Sequence, residues 1–252
     1  MASSYGFKHI ELRCLGGTLD LPGYFEDRGL GADHVQRWCG CHRIRISSLS
    51  TGLKLGDATD PEKDAFVRHL RLAHRMKIRG VRVFDGGQPG VEGPELGRYL
   101  DDVRRALAWV HDAVREHAPG VVARVETHGA FSDLRIHGRF LDRQPGGVPL
   151  LWDVDHVCRH SGMDPLEAWR RASPVPSHLH LKGGVGRADG GVDYVSLAEG
   201  DLDLRPLLRH LGRSGFSGDL SIEWERRWRP SMGPLEAELA AVCGLLDADY
   251  FD

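Results

Sequence analysis

Four segments of this chain end in side chains that bind hard metal ions or move protons. Val125-Glu126-Thr127-His128 carries a carboxylate and an imidazole, and Leu151-Trp152-Asp153-Val154-Asp155-His156 carries two carboxylates and an imidazole. His178-Leu179-His180-Leu181-Lys182 alternates polar and apolar residues, and Leu220-Ser221-Ile222-Glu223-Trp224-Glu225 ends in carboxylates. In a parallel β/α barrel the active site lies at the C-terminal ends of the strands, so polar residues that close apolar runs are positioned for chemistry. Buried and unpaired, such charges would be costly, and shared coordination of a cation is the economical account of four of them. Glu126, Asp153, His180 and Glu223 are the expected ligands. Three carboxylates and one imidazole suit Mn²⁺, Mg²⁺, Co²⁺ or Zn²⁺ without choosing among them. Alternation places His178, His180 and Lys182 on one strand face, opposite Leu179 and Leu181, with the histidines toward the barrel interior. Asp155, His160 and Glu225, each taken singly, read as surface groups.

The elements that must hold these residues follow from periodicity. Seven short β-branched or apolar runs are expected as strands: His9–Arg13, Arg43–Leu49, Gly80–Phe84, Val121–Glu126, Pro149–Asp153, Ser177–Leu181 and Asp219–Glu223. Segments of helical period separate them, which is the pattern of repeated βα units and a parallel sheet. Asp60-Pro61-Glu62 opens a helix to about Met76, with Asp60 as its cap, and Asp164-Pro165-Leu166-Glu167 repeats that start signal. Glu95–His117 presents one apolar stripe, and Asp203–Arg213 and Pro234–Leu246 read likewise. The expectation is a TIM-type (β/α) barrel, a single domain over residues 1–252, apparently lacking its first βα unit. Only Met1–Lys8 precede the first run, where a strand and helix would need some thirty residues. An open seam leaves two strand edges to cover, which predicts a homodimer. Gly183-Gly184-Val185-Gly186 follows a strand with no helix behind it and reads as a flexible loop, not a dinucleotide cradle.

Composition narrows the classes. The chain has 252 residues, 36 acidic against 33 basic, for a formal net charge of −3. A protein whose main partner is a phosphate backbone needs a concentrated basic footprint, so nucleic acid is not expected. No run reaches the roughly 18 apolar residues of a membrane span, and no signal-peptide pattern opens the chain, so a cytoplasmic protein without membrane contact is expected. Five cysteines are odd in number and widely spaced, which argues against structural disulfides. Cys39-Gly40-Cys41-His42 lacks the spacing and second pair of a zinc knuckle.

Taken in order, these segments resemble the sugar phosphate isomerase/epimerase family, built on the xylose isomerase-like TIM barrel. The likeness begins at Tyr5-Gly6-Phe7-Lys8-His9-Ile10-Glu11-Leu12-Arg13 and continues through Val125–Gly129, Leu151–His156, His178–Lys182 and Glu199-Gly200-Asp201 to Leu220–Trp228. The resemblance implies the same four metal ligands and assigns His156, with Arg187 beyond the His-x-His pair, to substrate. Lys182, His128 and Trp224 complete the expected substrate set, and Trp152, Trp224 and Trp228 are either walls for a sugar ring or core. Two departures stand out: Gly183 replaces the usual Asp after the lysine, which removes a supporting carboxylate, and the family's first strand and helix are missing.

The expected chemistry is isomerisation or epimerisation of a sugar, keto-sugar or related polyol through an enediolate, with Glu126 and Glu223 as the acid/base pair and a divalent ion at the oxyanion. A lyase or dehydratase using the same site is the alternative. An endonuclease IV-like nuclease is disfavoured, because Ser47-Ser48-Leu49-Ser50 and Phe84-Asp85-Gly86 lack extra histidines and Asp193-Tyr194-Val195 lacks an Asp-x-His pair. A catalytically inactive barrel subunit is the remaining reading. Without a phosphate-binding glycine loop, the substrate is not assumed to be phosphorylated.

Overall fold

The computed structural model describes residues 1–143 and 148–250. Six parallel strands follow one another in a single sheet: β1 (His9–Leu12), β2 (Arg45–Lys54), β3 (Gly80–Phe84), β4 (Val122–Glu126), β5 (Leu150–Asp153) and β6 (His178–Leu181). The chain then makes a hairpin, β7 (Gly183–Gly186) and β8 (Val192–Val195), before the seventh strand of the sheet, β9 (Asp219–Ile222), pairs parallel with β6. Helices cover the outer face: α1 (Leu21–Asp27), α2 (Ala32–Cys41), α3 (Asp60–Met76), α4 (Gly93–His117), α5 (Leu134–Leu141), α6 (Val154–Ser161), α7 (Pro165–Arg170), α8 (Arg205–Arg213) and α9 (Leu235–Asp249). The sheet curls into a nearly closed barrel, as the seven runs predict. β1 and β9 are its two edges. The His9 imidazole, 3.3 Å from the Asp219 carboxylate, bridges them by side chains.

Strand alternation separates two environments. On β4 and β6, Ala123, Val125, Leu179 and Leu181 are buried in the apolar layer under the helices, and Trp152 on β5 joins them at 0 % exposure. The opposite parity lines the barrel interior with Glu11, Ser48, Ser50, Arg82, Glu126, Asp153, His178 and His180, nearly all of them buried. That polarity is unusual for a barrel core, where bulky branched residues ordinarily fill the layers. Trp152 is therefore core and not a sugar-stacking wall.

The structure departs from expectation elsewhere too. β2 extends beyond its expected end at Leu49, to Lys54. Helix α3 is capped one residue earlier than expected: Thr59 and Glu62 form a reciprocal box, the Thr59 N–H donating to Glu62 at 2.9 Å. Gly183–Gly186 is no flexible loop but a strand, paired antiparallel with Val192–Val195. A Cβ on Gly183 would lie 2.1 Å from the Ser196 carbonyl oxygen, so the returning hairpin excludes the aspartate expected there. All five cysteines are free thiols. Among the described residues no helix is long and apolar enough to cross a membrane.

The loops at the mouth are tied down by Asp85, just after β3 and fully buried. Its Oδ2 accepts hydrogen bonds from Tyr99 Oη (2.5 Å), Gly87 N (2.9 Å) and Ala130 N (2.9 Å), joining the β3 and β4 loops to α4. Burial pushes the Asp85 carboxyl up against these donors. Tyr99→Phe leaves that carboxylate one donor short, and such losses cost about 1–3 kcal/mol. A urea denaturation series should show the midpoint falling at constant slope; an unchanged midpoint would show that the contact contributes nothing.

Candidate metal and acid/base centre

One atom each of Glu126, Asp153, His180 and Glu223 falls within 4.8 Å of all the others. These are the four residues expected at the strand ends, and the barrel brings them together because β4, β5, β6 and β9 are successive in the sheet. His180 Nδ1 lies 3.1 Å from Glu126 Oε1 and 3.8 Å from Glu223 Oε2. Asp153 Oδ1 accepts the His156 N–H (2.9 Å), so that carboxylate also caps α6, and the Asp153 N–H donates to Thr127 Oγ1 at 2.8 Å.

Lysine and arginine charges balance the carboxylates. Lys182 Nζ reaches Asp153 (2.9 Å), Glu223 (2.7 Å) and Glu225 (3.4 Å), and lies 3.2 Å from His156 Nε2. Burial opposes its charge, but Asp153 and Glu223 overcome this and hold the ammonium well above its usual range. Arg82 Nε sits 3.2 Å from Glu126 Oε2. Burial alone would raise Glu126; the Arg82 charge and the His180 hydrogen bond hold it well below the usual carboxylate range. Asp153 is lowered against its own burial by His156 and Lys182. Burial depresses His156 against the pull of Asp153, and the Lys182 charge adds to that depression.

A fifth carboxylate joins the centre that the strand-end pattern does not single out. Glu11, from β1, reaches across the seam to His178 Nε2 (2.5 Å) and His180 Nε2 (2.9 Å). The available signal is its own strand: His9-Ile10-Glu11-Leu12 alternates just as His178–Lys182 does, which puts Glu11 inside. With Nε2 bonded to Glu11, Nδ1 of His180 is the nitrogen that faces Glu126 and Glu223. A carboxylate behind a histidine in this way fixes the ring and raises its basicity as a metal ligand. The donor set therefore fits a divalent cation: oxygen-rich, one oriented imidazole, and a supporting carboxylate. Burial disfavours the imidazolium, yet Glu11 and Glu223 hold His180 well above its usual range, so a cation binding there would have to displace its proton.

The expected substrate residues divide. His128 and His156 stack edge to face at 4.6 Å between centroids, and His156 adjoins Lys182. Arg187 does not join them; it lies exposed on the β7–β8 hairpin, paired with Asp189 (3.1 Å) and Asp193 (2.8 Å). Trp224 commits its indole N–H to the Gly233 carbonyl at 3.2 Å. Two residues expected at the surface are not there. Asp155 is buried at 1 % exposure and bonded to Arg159 (2.7 Å), which also pairs with Asp201. Its burial and the Asp153 charge push its carboxyl up to about 6. Glu225 is half-buried against Lys182. A separate cleft between α1 and α3, lined by Phe25, Leu30, Leu72 and Met76, contains none of the ligating residues.

Two measurements test this arrangement. Glu11→Gln keeps the size but loses the charge behind His180, and divalent metal affinity should fall about 10–100-fold by calorimetric titration; an unchanged affinity would remove Glu11 from the centre. Binding also has to displace the His180 proton, so titrations at pH 7 in buffers of differing ionisation enthalpy should report release of about one proton per ion. No buffer dependence would show that His180 carries no proton for the cation to displace.

No curated protein matches in sequence. Among solved structures, the IolI protein with a bound zinc atom superposes with a TM-score of 0.74 at 15 % identity, covering 100 % of this chain and 92 % of that one. The probable 3-DHS dehydratase AsbF from Bacillus anthracis gives 0.70 at 19 %, covering 96 % and 90 %. The 3-keto-D-glucoside 4-epimerase YcjR from E. coli gives 0.63 at 14 %, covering 95 % and 97 %. At these identities the likeness is one of fold. A family model described as the xylose isomerase-like TIM barrel matches residues 1–246, nearly the whole length, and this chain belongs to that family.

Proposed function

We propose that this protein is a divalent-metal-dependent isomerase or epimerase of a sugar, keto-sugar or related polyol, in which Glu126 and Glu223 exchange the proton. The observation that supports it is the pairing of these two carboxylates around His180 Nδ1, at 3.1 and 3.8 Å, in a cluster completed by Asp153. When bound there, a divalent ion would polarise a substrate carbonyl and its neighbouring hydroxyl.

The chain's own residues then divide the work. Glu223, with 23 % of its side chain exposed, is the open carboxylate; Glu126, at 2 %, is the closed one, anchored by Arg82. One removes the proton from the carbon beside the carbonyl and the other returns it, with roles reversing in the reverse direction. Lys182, 2.7 Å from Glu223, offers its ammonium to the enediolate oxygen, and Asp153 and Glu223 keep it charged against its burial. His128 and His156 form the wall that orients the hydroxyls.

The Lys182–His156 contact favours a second reading. Loss of water from the carbon beyond the enediolate needs a proton donor near Glu223, and this ammonium is one. The two readings share the first step and part at the last, as isomerase and lyase.

Dialysed protein analysed by mass spectrometry should retain about one divalent ion per chain, lost in Asp153→Asn and His180→Ala. On a ketose that exchanges deuterium from solvent, Glu126→Gln and Glu223→Gln should each lower turnover at least about 100-fold with the fold intact by circular dichroism. Retained turnover in both variants would remove the acid/base assignment. An NMR spectrum of the product separates the readings: a retained hydroxyl count means isomerisation, and a lost one means dehydration.

A further inference from the structure

His178 stands two residues before His180, on the same interior face of β6. At 1 % exposure it is shut off from bulk water, yet among the described residues neither of its ring nitrogens has a hydrogen-bond partner. An imidazole always carries at least one N–H to place, so a buried ring in this condition calls for a physical reason. Glu11 Oε1 lies 2.5 Å from His178 Nε2, and that oxygen has no hydrogen-bond partner either. The two atoms touch without lining up as donor and acceptor. The other carboxylate oxygen, Glu11 Oε2, stands 2.9 Å from His180 Nε2. Glu11, His178 and His180 thus each supply one ligand-type atom, and the three atoms lie within 4.8 Å of one another.

Lone pairs that converge without hydrogen bonding are what a cation site presents. Two imidazole nitrogens and one carboxylate, with a fourth position for water, make a zinc donor set. The two rings stand edge to face, 5.6 Å between centroids and 79° between planes, so they can approach one ion from different sides. Glu11 keeps 12 % of its side chain exposed, which gives an ion a way in. This cluster is distinct from the first centre: Glu126, Asp153 and Glu223 take no part in it, and His180 turns its other nitrogen, Nδ1, to Glu126. Its place in the fold matters as well. Glu11 belongs to β1 and the histidines to β6, on opposite sides of the seam at which β1 and β9 lack backbone pairing.

We propose that Glu11, His178 and His180 Nε2 form a second cation site, one for zinc, that clasps β1 to β6 across the seam. It goes beyond the proposed reaction and does not depend on it. With one carboxylate against three, it is the weaker of the two sites, emptied by dialysis and filled when free zinc is supplied. With both ions bound, His180 bridges them as an imidazolate, each ring nitrogen having released its proton to solvent. A Glu11 that does no more than pair with two histidines makes the same contacts but takes up no ion through His178.

The test is a titration of the dialysed chain with zinc, followed by native mass spectrometry and by nitrogen-15 NMR of the histidine rings. A second zinc per chain should bind beyond the first and should shift the His178 Nε2 resonance. His178→Asn should lose the second ion and keep the first, whereas Asp153→Asn should lose the first and keep the second. The second zinc should also raise the thermal midpoint of the wild-type chain by at least about 2 °C and leave that of His178→Asn unmoved. Because the resonance is read on the unaltered chain, the site stays testable even where His178→Asn does not fold. A His178 resonance that ignores zinc, a second ion that survives His178→Asn, or a midpoint that does not respond overturns the clasp, whatever the first centre does. A single ion that disappears in His178→Asn and stays in Asp153→Asn upholds the clasp and overturns the metal-dependent reaction instead.

Discussion

The barrel interior depends on one imidazole held between carboxylates that approach from either side. His180, on β6, meets Glu11 from β1 through one nitrogen and Glu126 from β4 through the other. Neither contact is local: β4 lies two strands away through the sheet, and β1 lies beyond β9 across the seam. An ionised carboxylate in such a place persists only if paired, and the pairing here runs through His180, His178, Arg82 and Lys182. The same interactions that hold the sheet around its core also aim the ligands. Removing one member of a buried pair ordinarily costs about 3–5 kcal/mol, because the other is left uncompensated. The candidate ligands and the charges that stabilise the interior are thus the same residues.

A protein whose barrel interior is charged has to find its hydrophobic stability elsewhere. The outward parity of the strands does this: Leu49, Val81, Val83, Val125, Leu150, Trp152, Leu179 and Leu181 are all at 3 % exposure or less, packed with helical Phe66, Leu70, Val103, Leu107, Val110, Val157 and Leu208 in the apolar layer. Burying each such side chain contributes about 1.5–3 kcal/mol, which is why the layer between sheet and helices tolerates the polar layer inside. The seam between β1 and β9 is the geometric consequence of a seven-stranded sheet. Side chains, not strand pairing, cross it: the His9–Asp219 contact, the bond from Arg227 to the Gly17 carbonyl, and Arg13 against Trp228. The last two also place cations at the mouth, so the closing device and the rim of the site are the same few residues.

Much of this is legible from residue order alone. All seven strands, the sequential parallel sheet and the grouping of Glu126, Asp153, His180 and Glu223 follow from period and strand-end position, because barrel topology converts sequence order into spatial order. What is not legible has a common cause. Alternation puts Glu11 inside, but its place in the centre shows only through partners beyond the seam, and Asp155 and Glu225 look like surface acids until the fold brings Arg159 and Lys182 against them. Arg159 in turn is fixed by Asp201, which arrives from beyond the hairpin. Arg187 illustrates the opposite error: its spacing after the His-x-His pair is suggestive, while its real partners, Asp189 and Asp193, stand close by in sequence. The hairpin hides behind its glycines, whose permissive backbone reads equally as loop or as strand.

Gly183 shows how a departure from a family pattern acquires a physical reason. With a side chain there the hairpin could not return past the Ser196 carbonyl, and without the hairpin Tyr194 would not lie between Lys182 and Arg229. A carboxylate reaches the lysine from another direction instead: Glu225, beyond the end of β9, at 3.4 Å. Burial raises the Glu225 carboxyl, and the Glu223 charge adds to this against the pull of Lys182, whereas Asp153 is lowered, so Glu225 takes up a proton before Asp153 does. The shorter contacts, to Asp153 and Glu223, fix the ammonium from within the barrel, and the longer one to Glu225 is the weaker hold. An ammonium balanced in that way is buried and held chiefly from within the barrel, with Glu225 as its outermost tie.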